Sequence, residues 1–165
     1  MIRRRQTRDE HGFTMLEVLV VISILAILAA LAVPSMGDLI RTSRVRGASF
    51  ELQAAFFRAR SEAINRNTEV ELVPRSADWR NGWVLQVVGG PVIEDRQVLA
   101  NVTVTPSPAP TVRYRINGRI GAGSQSLVIS DPGSATTHAR CITLSANGRA
   151  KSEIDIDFDP TDGCI

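Results

Sequence analysis

Few residues of this chain can carry covalent or metal chemistry. The 165 residues include two cysteines and two histidines. Cys141 and Cys164 form no CxxC or CxxxC pair, so the spacing of an ordinary zinc site is missing. No serine lies in a nucleophile motif, and no glycine-rich phosphate loop follows a predicted strand. We therefore predict that the protein is not an enzyme and uses no cofactor and no metal.

One acidic stretch needs separate treatment, because "DIDFDPTDG" (residues 155–163) loosely resembles a calcium loop. Its acids alternate with Ile156 and Phe158, which is the pattern of a half-buried strand with one solvated face. We therefore interpret the stretch as a strand and predict no calcium site in it.

Lysine is nearly absent, and the charge of the chain falls into blocks. One of the 19 basic residues is a lysine. Residues 1–12 carry four arginines, residues 38–151 carry 15 bases and 9 acids, and residues 153–165 carry five acids and no base. Without residues 1–12 the chain has 15 bases and 15 acids. The net charge of +2 is therefore poor evidence for a nucleic-acid partner.

Residues 13–33 form a long apolar run that is interrupted by Thr14, Ser23 and one acid, Glu17. A helix of this length is roughly 31 Å long, which is enough to cross a bilayer core. The arginine-rich end precedes it, and the positive-inside rule then places residues 1–12 in the cytoplasm. An ordinary secretory signal, cut after the A-x-A sequence at residues 30–32, and a plain membrane anchor are the alternatives. Neither alternative has a use for Glu17.

Cleavage between Gly12 and Phe13 would explain the acid. It would leave a free amine on Phe13 at the membrane end of the helix. An ammonium and a carboxylate can compensate each other in an apolar setting, where each alone is costly. If helices pack side by side with a stagger, Glu17 of one subunit meets the Phe13 amine of the next. The pair would then favour one packing offset over the others.

A basic leader ending in glycine, followed by "FTMLE" and an apolar helix with Pro34, resembles a type IV prepilin or pseudopilin. The resemblance implies that a prepilin peptidase cuts after Gly12 and methylates Phe13, and that Glu17 guides assembly. It also implies an inner-membrane protein whose partners are other minor and major pilins or pseudopilins. "ARSEAINRN" (residues 59–67), "TEVELV" and "WRNGWVLQV" narrow the resemblance to the GspH/FimT branch.

The expected fold is α+β and type IV pilin-like, with a long N-terminal α-helix packed on an antiparallel β-sheet domain. Pro34 should bend or locally break the helix, and an apolar face at spacings of three and four continues to about Asn65. The expected parts are a cleaved leader (1–12), a transmembrane and assembly segment (13–33), an amphipathic helix (34–66) and a periplasmic β-rich domain (67–165). Seven strands are predicted, at residues 68–73, 83–88, 97–105, 111–116, 126–130, 139–145 and 150–158.

Two local signals lie in the β-rich part. "YRINGRI" (114–120) and "TLSANGRA" (143–150) form a weak internal echo, and Asn-Gly after an apolar strand indicates a tight hairpin turn. Cys141 and Cys164 lie 23 residues apart in a part predicted to be periplasmic. An oxidising compartment favours a disulfide between them over two free buried thiols.

The residues "Gly148-Arg149-Ala150-Lys151" are similar to the GRxR motif by which FimT-type minor pilins bind DNA. Lys151 replaces the final arginine of the motif, which keeps the charge and loses the bidentate fork. The resemblance implies sequence-independent binding to the backbone of double-stranded DNA during natural transformation. Four further arginines would extend the patch if they share its face: Arg113, Arg115, Arg119 and Arg140. The alternative is a purely structural H-type pseudopilin of a type II secretion pseudopilus, in which these are solvated strand residues.

Overall fold

A computed structural model describes residues 13–97, 99, 101–106, 110–133, 139–156 and 164, and of residues 31–35 it describes the backbone alone. The chain divides into two compact units, the first ending at Leu39 and the second beginning at Ile40. The helix α1 passes from one unit into the other, and the sheets belong to the second.

The helix α1 covers Met15–Arg66, close to the range expected from the sequence. Thr14, just before the helix, is its N-cap residue: the Thr14 Oγ1 accepts a hydrogen bond from the Glu17 N–H at 3.2 Å. The helix ends before Asn67, whose φ of +51° lies in the left-handed region. The helix is continuous through Pro34, so the predicted local break is not there. Proline removes one N–H from the ladder, and the helical hydrogen bonds before and after it can persist.

Within the described residues, no helix combines the length and the apolarity that a membrane crossing requires. The transmembrane segment expected at residues 13–33 stays a prediction.

Within the described residues, eight strands form two four-stranded antiparallel sheets. The strands are β1 Val70–Pro74, β2 Gly82–Val87, β3 Val92–Gln97, β4 Thr103–Thr105, β5 Val112–Tyr114, β6 Gln125–Ser130, β7 Arg140–Leu144 and β8 Ala150–Ile154. The first sheet has the order β3-β2-β1-β5, and the second has the order β4-β6-β7-β8. The prediction of an α+β fold with a long helix and antiparallel sheets is confirmed.

Two strand predictions are wrong. The single strand predicted at residues 97–105 is not there: β3 ends at Gln97 and pairs with β2, and β4 begins at Thr103 and pairs with β6 in the other sheet. The chain cannot stay extended between them because Asn101 has a φ of +53°. The strand predicted at residues 150–158 ends at Ile154, and residues 157 and 158 lie outside the described part of the chain.

One apolar core joins the helix to both sheets. Phe56 of α1 packs edge-on against Trp79 at a centroid distance of 5.6 Å, and both side chains are fully buried. The helix contributes Val45, Ala48, Leu52, Ala55, Phe56, Ala59 and Ala63, and the sheets contribute residues such as Leu72, Leu85, Leu127 and Ile142. Each large side chain buried here contributes about 2 kcal/mol of hydrophobic free energy. Trp79 and Trp83 are both buried in this core.

The predicted disulfide between Cys141 and Cys164 is confirmed. The two Cα atoms are 5.5 Å apart, which is an ordinary disulfide separation. Cys141 lies on β7 in a small cluster with Val128 and Ala139. The bridge therefore attaches the C-terminal tail to the second sheet.

Candidate functional site

The residues predicted to guide assembly lie at the start of α1. Gly12 is outside the described residues, and Phe13 is 81% exposed. Thr14 and Glu17 have the spacing of a capping box, in which the two residues stabilise the start of a helix through hydrogen bonds. However, the Glu17 carboxylate makes no hydrogen bond or ion pair with any described residue. It is an exposed acid without a partner in this part of the chain.

The first turns of α1 are apolar on every side. Every residue from 13 to 30 is exposed. The large exposed side chains include Met15, Leu16, Leu19, Ile22, Leu25, Ile27 and Leu28. Large apolar side chains exposed on several sides of a helix mark an interaction surface.

The candidate DNA-binding residues are organised by two turns of the same design, residues 115–119 and 145–149, which we call the twin turns. In the first, the Gly118 N–H donates to the Arg115 oxygen at 2.7 Å, and the Arg115 N–H donates to the Arg119 oxygen at 2.9 Å. In the second, Gly148 and Ser145 make the corresponding bonds at 2.8 and 3.0 Å. The two asparagines, Asn117 and Asn147, each accept from the N–H two residues ahead at 3.1 Å. The predicted echo is therefore a structural repeat.

The twin turns also touch each other. A Cβ on Gly148 would overlap the carbonyl oxygen of Gly118 and lie 3.2 Å from the ring of Tyr114. The same Gly118 oxygen accepts a hydrogen bond from Arg60 Nε at 3.1 Å, which attaches the first turn to α1. Tyr114 is fully buried, and burial raises the pKa of its phenol despite the nearby positive charge of Arg60. The twin turns are thus attached to each other, to α1 and to the buried ring of Tyr114.

Three arginines at the twin turns are exposed and free to bind an external anion. Arg119 and Arg149 end the two turns at equivalent positions, and Arg115 begins the first turn. Within the described residues none of the three side chains makes a hydrogen bond or an ion pair. Guanidinium groups that have no internal partner keep their full donor capacity for phosphate oxygens.

The remaining predicted residues are placed differently. Lys151 forms an ion pair with Glu153, and Arg113 forms one with Glu71 at 3.1 Å, so both cations are partly neutralised. Arg140 lies on the opposite face of its sheet from Lys151. Its guanidinium lies over the Phe50 ring of α1 at 5.8 Å, while Lys151 pairs with Thr143 and points away from the helix.

Arg140 has an unusual electrostatic environment. Burial lowers the pKa of its guanidinium, and the nearby charge of Arg46 lowers it further. The group is therefore part of the packing between α1 and the second sheet, and the structure does not bring it to the twin turns.

Sequence reasoning missed the role of Arg60. Its side chain reaches the first turn from α1 across 58 residues of sequence. The repeated Asn-Gly-Arg triplet was the available signal that Arg119 and Arg149 end two turns of the same hydrogen-bonding pattern.

Gly148→Ala should destabilise the domain by more than about 2 kcal/mol, since the new Cβ meets backbone and the φ of +79° is strained. Gly118→Ala should cost less, because the atoms nearest its Cβ belong to the side chains of Ile64 and Arg60. Gly123→Ala is the control: its Cβ meets nothing within 4 Å, so a change within about 0.5 kcal/mol is expected. Chemical unfolding gives the free energy of unfolding of each variant, and the Gly148 variant should be the least stable of the three and the Gly123 variant the most stable. Equal stability of the Gly148 and Gly123 variants would mean that the turns are not in contact.

Two family models match the chain. The one described as type II transport protein GspH matches residues 48–148, which contain the second half of α1 and the twin turns. The prokaryotic N-terminal methylation motif matches residues 7–33, which contain Gly12, Phe13 and Glu17. No curated protein matches the chain.

The fold is similar to that of the type IV minor pilin FimU of Pseudomonas aeruginosa, strain PAO1. A crystal structure in space group P21 has 19% sequence identity and a TM-score of 0.60, and the match covers 74% of this chain and 96% of that chain. A second, in space group P65, has 19% identity and a TM-score of 0.57, with 73% and 99% covered. At this identity the likeness shows the fold, and the prediction of a type IV pilin-like fold is confirmed.

Proposed function

The chain belongs to the GspH family of minor pilins and pseudopilins, and from this premise we propose two activities for it. It is cut after Gly12 and enters a filament through its N-terminal helix. It also binds the backbone of double-stranded DNA with its twin turns.

The exposed start of α1 supports the filament role. Residues 13–30 present apolar side chains in all directions, and Glu17 is the acid among them. Before assembly this helix sits in the inner membrane with residues 1–12 in the cytoplasm and the β-rich domain in the periplasm. After cleavage by a prepilin peptidase and methylation of Phe13, the new ammonium pairs with Glu17 of a neighbouring pilin. Burial in the helix bundle makes the pair sensitive to register.

The observation that carries the DNA proposal is the contact between two turns with the same hydrogen-bonding pattern, each of which ends in an exposed arginine. Arg119 and Arg149 follow Gly118 and Gly148 on turns that touch, and neither has a partner within the described residues. Phosphates repeat at short intervals along each DNA strand, so arginines on two turns that touch suit phosphates that lie near each other. No base-reading element is required, so the binding is independent of sequence. A filament with this property would take up DNA in natural transformation.

A purely structural H-type pseudopilin in protein secretion is the second candidate. The pairing of Lys151 with Glu153 and of Arg113 with Glu71 favours it, because two of the predicted DNA-binding cations already have acidic partners. Surface ion pairs of this kind contribute little to stability, and they reduce the positive field that DNA would meet.

Arg119→Gln combined with Arg149→Gln should weaken DNA binding and lower the slope of log affinity against log salt by about 2, one for each lost phosphate contact. The measurement is a mobility shift of a random-sequence duplex with the full chain in detergent, at several stated salt concentrations. Arg113→Gln with Lys151→Gln is the matched control, since these cations already have acidic partners, and it should change the slope by less than 1. No DNA binding by the parent chain at low salt, or equal slopes for both double variants, would overturn the DNA-binding proposal. The structural role would then be the one that remains.

A further inference from the structure

Among the described residues beyond Ile40, one local motif occurs three times. An aspartate or asparagine accepts, through its Oδ1, a hydrogen bond from the backbone N–H of an arginine two residues ahead. This is an ordinary Asx turn, for which a carboxylate and an amide both serve. The three pairs are Asp78 with Arg80 at 2.9 Å, Asn117 with Arg119 at 3.1 Å, and Asn147 with Arg149 at 3.1 Å. The pairs differ in the charge of the residue that closes the turn.

The aspartate version of the motif binds its own arginine. Asp78 Oδ2 lies 2.7 Å from both Nε and Nη2 of Arg80, so the turn itself holds the guanidinium. The hydrogen bond with the Asp78 side chain raises the pKa of Arg80, and the negative charge of the acid raises it further. The positive charge of Arg80 is thus compensated within the chain.

The asparagine versions leave their arginines available. An amide carries no charge, so it closes the turn without forming an ion pair. Within the described residues, the guanidiniums of Arg119 and Arg149 accordingly make no hydrogen bond or ion pair. An Asp-Gly sequence would suit the same kind of hairpin turn. What the amides provide in place of carboxylates is therefore two guanidiniums that can bind an external anion.

The amides of the twin turns also carry donors of their own. Because Oδ1 of Asn117 and of Asn147 accepts the backbone bond, the NH2 group of each side chain is held close to the arginine two residues ahead. Both asparagines are exposed, and in the part of the chain that the structure describes neither NH2 group makes a hydrogen bond. Asparagine amides and arginine guanidiniums are both donors that proteins use to contact DNA phosphates. Each twin turn thus presents one neutral and one charged donor group.

We propose that Asn117 and Asn147 are phosphate-binding residues of the twin turns. Each closes its turn with Oδ1, leaves the arginine two residues ahead uncompensated, and donates from its NH2 group to the DNA backbone beside that arginine. The inference rests on the proposed DNA binding and adds two uncharged residues to it. A neutral donor releases no counterion, so the salt dependence of binding separates the effect of the amides from that of the arginines.

Asn117→Asp combined with Asn147→Asp keeps the acceptor of both turns and supplies each arginine with an acid, as in the aspartate version of the motif. The slope of log affinity against log salt should fall by about 2, as if both arginines had been removed. Asn65→Asp with Asn81→Asp is the control, because it makes the same change of charge at two exposed asparagines outside the twin turns. Its slope should change by less than about 1. Equal slopes for the two double variants would overturn the proposal.

Asn117→Ser combined with Asn147→Ser tests the NH2 groups, because a serine hydroxyl keeps a local acceptor and adds no charge. Affinity in the mobility shift should fall about tenfold for two lost hydrogen bonds to phosphates. The salt slope should stay within about 0.5 of the slope of the parent chain. An unchanged affinity would overturn the proposal. A slope that falls by about 2 would also overturn it, because the asparagines would then act only by holding the arginines in place.

Nuclear magnetic resonance observes the amides directly. The full chain, labelled with ¹⁵N at asparagine and held in detergent micelles, has six side-chain NH2 groups. A random-sequence duplex should shift the resonances of Asn117 and Asn147 and leave those of the other four asparagines unchanged. Equal shifts at all six, or no shift at the two, would overturn the proposal.

The two experiments also separate this inference from the function on which it rests. DNA binding whose salt slope depends on Arg119 and Arg149, without any shift or loss of affinity at the asparagines, overturns the inference and leaves the proposed DNA binding standing. A parent chain that binds no duplex at low salt overturns both.

Discussion

Gly12→Val is expected to leave almost all of the protein uncut, with residues 1–12 still attached. The peptidase must accommodate the residue before the cut, and a glycine offers no side chain that could obstruct the site. Valine adds a branched side chain at that point, and it leaves the charge of the leader and the apolar helix unchanged. The measurement is the mass of the membrane-associated protein in cells that produce the peptidase.

The matched control for Gly12→Val is Gly37→Val, which makes the same change in α1, at an exposed position where a Cβ meets nothing within 4 Å. Its processing should equal that of the parent. Cleavage of the Gly12 variant at the normal rate would show that the cut lies elsewhere. Phe13 would then carry no free ammonium group.

Glu17→Val should be inserted and cleaved normally and should lose incorporation into filaments by roughly 100-fold or more. The neighbour's Phe13 ammonium would be left buried without its partner, and breaking one side of a buried ion pair costs about 3–5 kcal/mol. The amount of protein in sheared filaments, relative to the amount in the membrane, measures the effect.

Glu17→Gln separates the charge from the local helix cap. Glutamine at this position still satisfies the capping-box pattern that begins at Thr14, so the start of the helix is preserved. If the charge is what matters, the glutamine variant should fail as the valine variant does. Normal incorporation of Glu17→Gln together with failure of Glu17→Val would assign Glu17 to capping, and normal incorporation of both would refute the register argument.

Much of the fold was predictable because its signals are local. The helix is marked by an apolar periodicity and by a capping residue at Thr14, and the turns are marked by Asn-Gly. The disulfide was predictable because the chain has two cysteines, both in a part predicted to lie in an oxidising compartment. The end of β3 at Gln97 and the separate start of β4 at Thr103 were not predictable, because the chain between them depends on the left-handed conformation of Asn101, which many asparagines do not adopt.

The candidate site was only partly predictable, since it depends on contacts between distant residues. Gly118 and Gly148 lie 30 positions apart, and no periodicity reveals that their turns touch. The face of Arg140 depends on strand register, where a shift of one residue moves a side chain to the other side of the sheet.

We propose that this chain is a filament subunit made by cleavage in front of Phe13. The decisive measurement is mass spectrometry of the N-terminal peptide of the protein recovered from sheared filaments. We expect a peptide that begins with N-methylated Phe13, followed by Thr14 and Met15. A filament-associated protein that begins at Met1, or a secreted protein that begins at Val33, would contradict it.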